Sequence, residues 1–159
     1  MGRRKPDSIE LLSNPEPRYR LLNRDQLVDG DLGEMNFGNG HWVGYQKDNA
    51  VFHLYYQQPV KAQMVLLNML QHTRAHIFPP TKIEVWGGND KDKLTLLAKR
   101  VLEMPKKHES PASVPHKVQF PVTEVKYIRI HIQRLKALPS WHDSKGKPAW
   151  VMISEIVVD

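Results

Sequence analysis

The chain has 159 residues, of which 40% are hydrophobic and 25% charged, a composition typical of a globular domain rather than a disordered segment. It contains no cysteine, which excludes disulfides, thiolate catalysis and cysteine-rich zinc sites. No apolar run approaches the roughly 18 residues of a membrane helix, and we expect neither a transmembrane segment nor a signal peptide in this chain. The net charge is +6, but the basic residues are dispersed, so nucleic acid is not the expected partner.

Twelve prolines and nine glycines interrupt the chain often, which is typical of a domain built from short strands. Residues 1–21 contain Pro6, Pro15 and Pro17, and we expect them to form an irregular arm or an outer strand. We assign residues 22–159 to one domain, since the sequence shows neither an internal repeat nor a low-complexity linker.

The first strand signals of the domain lie between residues 50 and 86. The β-rich segment 50–56 predicts a strand that ends at Pro59. The apolar run 60–70 fits a buried strand or a helix, and periodicity alone does not separate the two. Residues 82–86 alternate between apolar and polar and predict another strand.

A hairpin and two closing strands follow. Gly87-Gly88-Asn89-Asp90 is a turn signal, and residues 94–101 are the expected return strand. Residues 125–133 carry three isoleucines on one face, with the period of two that a half-buried strand requires. Residues 149–158 form the last β-rich segment. Roughly eight strands without a convincing long helix predict an all-β sandwich or barrel.

A series of short motifs carries a family resemblance. In chain order they are Leu27-Val28-Asp29-Gly30, Trp42-Val43-Gly44-Tyr45, Val51-Phe52-His53-Leu54, residues 81–90, residues 125–130 and residues 154–158. In this series the chain resembles the discoidin, or coagulation-factor C-type, domains. That resemblance implies a galactose-binding-like jelly-roll β-sandwich. Residues 71–80 and 138–142 are similar to the discoidin-like modules appended to bacterial glycoside hydrolases, which implies an extracellular or periplasmic location.

A calcium site is predicted where the two ends of the domain meet. An acidic turn near the start and a glutamate in the last strand could together bind a hard cation. The resemblance implies that Asp29 and Glu155 provide carboxylates, that Gln26 and Ser154 provide backbone carbonyls, and that Asp31 is a further ligand. The ion would have a structural role. The alternative is an ordinary turn at Asp29 and a surface ion pair at Glu155.

A ligand surface is predicted in the breaks between strands, because sugar sites combine aromatic platforms with a few orienting polar groups. Loops of a jelly roll can converge at one end of the sandwich. The predicted ligand-binding residues in these loops are His41, Tyr45, Arg74, His76, Trp141 and His142. We expect Trp42 and Trp150 to be structural, whereas the pattern leaves the placement of Trp86 open.

No catalytic motif occurs in the sequence, which has neither a His-Glu-x-x-His zinc motif nor a Gly-x-Ser-x-Gly nucleophile elbow nor a phosphate loop. We therefore interpret the chain as a noncatalytic carbohydrate-binding or adhesion module. Its partners would be a glycan and a catalytic domain of the same secreted protein. Two alternatives are a structural domain that packs against a catalytic neighbour and a binder of anionic polymer or lipid.

Overall fold

The computed structural model describes residues 3–23, 25–30 and 42–159. Within these residues the chain forms seven β-strands and three short 3-10 turns. The strands are β1 (Ser8–Leu11), β2 (Val43–Tyr45), β3 (Ala50–Gln71), β4 (Lys82–Gly88), β5 (Thr95–Val101), β6 (Ala112–Gln133) and β7 (Val151–Val158). The 3-10 turns are Pro17–Tyr19, Gln26–Val28 and Thr73–Ala75. In this part of the chain, no helix is long and apolar enough to cross a membrane.

Strands β3 and β6 form the longest ladder of the fold. Each has 22 residues, and they pair antiparallel from Ala50 opposite Ile132 to Gln71 opposite Ala112. Their register shifts twice, between residues 55 and 60 of β3 and again between residues 62 and 64. The prediction that the first strand ends at Pro59 is wrong: the strand continues, because a residue without an N–H is tolerated where the ladder is already irregular.

The two halves of this ladder have different neighbours. The first half of β3 pairs with β1, and the second half of β6 pairs with β4, which in turn pairs with β5. The second half of β3 pairs with β7, whose other edge carries β2. Strands β3 and β6 therefore belong to both layers of the sandwich. The sequence predicts roughly eight strands, and the described residues form seven. The all-β prediction is confirmed.

The core lies between the two layers and follows the predicted alternation. Ile128, Ile130 and Ile132 of β6 are fully buried, as are Ile83 and Val85 of β4. Their neighbours on the same strands point to the opposite face, as a period of two requires. The ambiguous run 60–70 is a strand that buries its apolar side chains in the same core.

Two smaller apolar clusters extend this core toward one end of the sandwich. The first contains the fully buried Trp42, packed with Ile77 and Met152. The second contains Phe78 and Leu138, with the half-buried Trp141 against them. Trp42 is therefore a core residue, as expected, and these clusters fix the loops that follow β3 and precede β7.

The N-terminal residues lie along the edge of the sandwich. Strand β1 pairs with β3 from Ser8 opposite Tyr55 to Leu11 opposite Phe52. The hydroxyl of Tyr56 donates a hydrogen bond of 2.6 Å to the carbonyl of Arg4. The segment that precedes β1 is therefore held against the body of the domain.

Gly44 provides a test of the packing between β2 and β7. A Cβ at this position would lie 2.6 Å from Met152 Sδ and 3.0 Å from Tyr19 Cβ, in a buried part of the fold. We expect Gly44→Ala to destabilise the domain by about 1–3 kcal/mol through overpacking. Thermal unfolding measures the effect, at roughly 2–4 °C per kcal/mol for a chain of this size.

Gly88→Ala is the matched control, because its Cβ would meet the nearest atom, the Lys93 carbonyl oxygen, at an ordinary 3.5 Å. Equal melting temperatures for the two variants would contradict the close packing at Gly44.

Candidate functional site

The two ends of the domain meet at a buried carboxylate. Glu155 lies in β7 with 0% of its surface exposed. Its Oε2 accepts hydrogen bonds from the Gly30 N–H and from Arg3 Nη2, both at 2.8 Å. The same Arg3 nitrogen donates to the carbonyl of Val28 at 2.5 Å. An arginine of the N-terminal segment therefore joins the early turn to the last strand.

Burial determines the protonation of this carboxylate. Desolvation raises the pKa of Glu155 to about 7, although the Gly30 hydrogen bond and the Arg3 charge oppose the shift. The negative charge of Asp29 raises the same pKa further. The second oxygen, Oε1, is buried and has no hydrogen-bond partner among the described residues. The site therefore favours either a proton on Glu155 or positive charge beside it.

The other predicted calcium ligands differ in their surroundings. Asp29 is exposed at the end of the 3-10 turn. The side-chain oxygen of Gln26 accepts from the Leu22 N–H at 2.7 Å, and the Ser154 hydroxyl accepts from Asn68 Nδ2 at 2.9 Å. Asp31 lies outside the described residues. Among the residues that are described, no group of three or more histidine or acidic side chains could hold a metal ion.

The raised pKa of Glu155 predicts a pH dependence of stability. The folded state keeps a proton that the unfolded chain loses near the ordinary value of 4.5, so this contribution is complete below that pH and is lost as the pH rises through about 7. Glu155→Gln removes the titration. The difference in unfolding free energy, wild type minus variant, should therefore decrease between about pH 4.5 and 7, as measured by urea unfolding.

Comparing wild type with Glu155→Gln also cancels the contribution of His116 to the pH dependence of stability. Burial lowers the pKa of His116 to about 4, so that histidine loses stabilising effect as the pH falls from 6.5, but it is present in both proteins and cancels. A difference that stays constant across this range would contradict the raised pKa.

Most of the predicted ligand residues lie in a second region, the loop end, which we define as residues 71–78, 103–111 and 138–150. After β3 the chain makes the 3-10 turn Thr73–Ala75, and His76 ends it in the left-handed region with φ of 68°. The carbonyl of His76 accepts from the Trp150 N–H at 2.8 Å, and the Phe78 N–H donates to the Trp150 carbonyl at 3.1 Å. This unusual backbone conformation is thus held by bonds from both sides.

His142 is the centre of the loop end rather than part of its surface. It is only 5% exposed, and its Nε2 donates to the Thr73 carbonyl at 2.8 Å while its Nδ1 accepts from the Ser144 N–H at 2.9 Å. The rings of His76 and His108 lie against it, with centroids 5.1 and 4.9 Å away. Both ring nitrogens of His142, which the sequence predicts to contact ligand, therefore connect two loops.

Trp141 is packed on one side against the loop end and is partly exposed on the other. Its Nε1 donates to the Pro105 carbonyl at 3.2 Å, and its ring packs on Phe78 and edge-on against His108. The residue is half-buried. Its indole can therefore present only an edge or part of one face to a ligand, and its removal would also disturb the loop that contains Pro105.

Tyr45 also differs from the expectation. It lies in β2 with 0% exposure and packs edge-on against Phe52 in the main core. Strand pairing with β7 turns its side chain inward, so the structure places Tyr45 in the core rather than in a loop. His41 lies outside the described residues. Of the remaining predicted residues, Arg74 is exposed and His76 is half-buried at the loop end.

Two shallow clefts lie at the loop end. One has a volume of about 300 Å³ and is lined by His72, Arg74, His108, Glu109, Ser110 and Pro111. The other, of about 480 Å³, is lined by Gln71, Pro79, Glu109 and the segment 103–107. Glu109 lines both clefts, so they adjoin.

The connection between β5 and β6 was not predicted as part of the site. It is tied to the turn after β3, because Thr73 Oγ1 lies 3.1 Å from His108 Nδ1 and accepts from the Glu109 N–H at 3.3 Å. The signals for it in the sequence are a histidine between two prolines and the neighbouring pair Lys106-Lys107.

Solved structures that are similar to this fold include family 32 carbohydrate-binding modules (CBM32). The CBM32 of AlyQ, solved in complex with 4,5-unsaturated mannuronic acid, superposes with a TM-score of 0.62 at 11% identity, over 100% of this chain and 98% of that one. CBM32-3 of a family 31 glycoside hydrolase from Clostridium perfringens gives a TM-score of 0.61 at 14% identity, covering 97% and 90%. The family 32 module of NanJ from C. perfringens, in complex with galactose, gives 0.59 at 13% identity, covering 95% and 91%.

These likenesses confirm the predicted galactose-binding-like jelly roll over the whole chain. No family model matches the sequence, and no curated protein matches it. At such identities the similarity establishes the fold alone.

Proposed function

We propose that the chain is a noncatalytic carbohydrate-binding module that binds glycan at its loop end. The observation that carries this proposal is the full-length likeness to CBM32 modules, two of which are in complex with a sugar or sugar acid. The loop end of this chain supports it further, because an exposed arginine and half-buried imidazoles line a shallow cleft there, and the half-buried Trp141 packs against one of these imidazoles, His108.

The chemistry of the loop end suits weak, oriented binding. Arg74 offers a planar set of donors to hydroxyl or carboxylate oxygens. Partial burial lowers the pKa of His76, so its ring is neutral at pH 7 and can both donate and accept. Because the clefts are shallow, affinity would come from a few contacts and from repeated sites on a polymer rather than from full enclosure.

A larger parent protein is part of this proposal. The structure of truncated AlyQ with CBM32 and alginate lyase domains matches 99% of this chain but only 32% of that chain. By analogy, the present domain would lie beside a catalytic domain and hold it near a glycan outside the cytoplasm, in the extracellular space or periplasm. The absence of cysteine is compatible with either location.

A glycan array followed by calorimetry tests the loop-end site. We expect selective binding to one group of glycans, and a loss of roughly tenfold or more in affinity for Arg74→Ala, since a hydrogen bond to a charged group is removed. Arg20→Ala is the control, because Arg20 is also exposed but bonds locally to the Pro17 carbonyl. A folded wild type that binds no glycan, or an Arg74→Ala protein that binds as well as Arg20→Ala, would count against the proposal.

We also propose a structural calcium ion at Glu155. The buried, unpartnered Oε1 of Glu155 supports it, as does the raised pKa, since both indicate a need for positive charge. Arg3 competes for the same place, because it occupies Glu155 Oε2 and the Val28 carbonyl. The donors therefore fit a calcium ion only when the guanidinium moves away.

Calcium titration of two proteins tests this competition. We expect calcium to raise the melting temperature of Arg3→Gln more than that of wild type, because the ion then has no competitor and binds the folded state alone. A chelator should reverse the increase. If neither calcium nor chelator changes the melting temperature of either protein, the ion is excluded and Arg3 is the permanent partner of Glu155.

A further inference from the structure

A row of polar and aromatic side chains crosses the outer face of one layer, remote in sequence from the loop end. Glu10 of β1 pairs with His53 of β3, His53 pairs with Arg129 of β6, and Arg129 pairs with Trp86 of β4. The alternation that buries the core residues of these strands places this row on the opposite face. The sequence left Trp86 unassigned, and the structure puts it at one end of the row.

A pocket of about 420 Å³ lies over this row. We call it the sheet-face pocket and define it by its lining residues, Trp86, Lys91, Asp92, Leu94, Arg129 and His131. Its volume falls within the roughly 300–1,000 Å³ of small-molecule sites. The turn after β4 forms one wall and is ordered by Asp90, which accepts the Asp92 N–H at its side chain and the Lys93 N–H at its carbonyl, both at 3.0 Å.

The row carries buried nitrogen atoms that lack hydrogen-bond partners in the described structure. They are Nε1 of Trp86, Nε of Arg129 and both ring nitrogens of His53, a residue only 5% exposed. The fully bonded His142 of the loop end shows that the fold can satisfy a buried imidazole. Two of these residues, Trp86 and Arg129, line the pocket. Unsatisfied donors beneath a pocket are expected where a bound molecule provides the acceptors.

The charges of the pocket select the kind of molecule. Lys91 and Arg129 contribute two positive charges against the single negative charge of Asp92. Burial, together with the nearby Arg129 and Lys82, lowers the pKa of His131 despite the opposing charge of Glu84, so this ring is a neutral hydrogen-bonding group at pH 7. The lining thus combines an excess of positive charge with an indole, which suits a ring that carries a carboxylate.

We propose that the sheet-face pocket is a second saccharide site, and that it binds a uronic-acid unit of an acidic polysaccharide. The carboxylate would lie between Lys91 and Arg129, and the apolar face of the sugar ring would pack on Trp86. That the ligand is a saccharide rests on the proposed function. That the ligand is negatively charged is inferred from the residues that line the pocket. Two sites on one domain would increase avidity for an acidic polymer.

Calorimetry with matched oligosaccharides tests this site in the full chain. The probes are the β-1,4-linked mannuronate tetrasaccharide, a galacturonate tetrasaccharide and β-1,4-mannotetraose, which differs from the first only at the carboxylate carbon. We expect at least one acidic probe to bind, mannotetraose to bind at least about tenfold more weakly, and Trp86→Ala to lose about tenfold in affinity for the acidic probe.

Lys91→Ala provides a variant at the exposed rim, where a change of side chain leaves the fold intact. We expect it to weaken acidic binding several-fold, whereas Lys61→Ala, which removes one exposed charge from the other half of β3, should bind as wild type. Arg74→Ala should keep the sheet-face binding, which separates this site from the loop end.

Three results would overturn the proposal. The first is a wild-type protein that binds neither acidic probe, and the second is equal affinity for mannotetraose. The third is acidic binding that Trp86→Ala and Lys91→Ala leave unchanged, or that only Arg74→Ala removes. A single-stranded DNA oligonucleotide bound as tightly as the acidic sugar, and released by the same two variants, would reassign the pocket to anion binding in general. Arg74→Ala is measured beside the other two variants so that acidic binding at the loop end is distinguished from binding at the sheet-face pocket.

Discussion

The antiparallel ladder between β3 and β6 is the constraint on which the rest of the fold depends. The two strands pair over almost their full lengths, and the register shifts near their middle let each strand serve both layers. One half of β3 carries the N-terminal strand, and the other half carries the last strand. The two ends of the chain and both candidate binding surfaces are thus positioned by a single pair of strands.

Burial of the Glu155 carboxylate, where the two ends of the domain meet, is unfavourable because the charged group loses its hydration. A carboxylate removed from water requires a proton, a counter-charge or several hydrogen bonds. Here the Gly30 N–H and the Arg3 guanidinium share one oxygen, and the other oxygen is left without a partner among the described residues. The protonation of Glu155 is therefore linked, through Arg3, to the attachment of the N-terminal segment.

The sequence predicts those features of the fold that depend on local alternation. The three isoleucines of β6 share the buried face because a strand repeats every two residues. Pro59 misled the prediction, because whether a proline ends a strand depends on its partner strand, which local sequence does not reveal. The position of Trp86 on the outer face follows from the same alternation, but the turn that covers it comes from a tertiary arrangement.

The candidate site was harder to predict for the same physical reason. Loop residues such as His142 are polar, and sequence alone suggests exposure, yet a histidine with both nitrogens bonded is readily buried. Tyr45 was predicted to lie in a break between strands, whereas its pairing with Val151 turns it inward. The contribution of His108 depends on a contact with Thr73, 35 residues away, which no short motif contains.

The two surfaces differ in how their polar groups are satisfied, and this difference has consequences for recognition. At the loop end both ring nitrogens of His142 are bonded and connect two loops, whereas Nε2 of His108 has no partner among the described residues and Arg74 is exposed. On the sheet face, Nε1 of Trp86 and Nε of Arg129 have no partner among the described residues, and a ligand with suitable acceptors would relieve that cost. Because an unsatisfied buried donor discriminates strongly against ligands that lack the matching acceptor, the proposed site on the sheet face would be the more selective of the two.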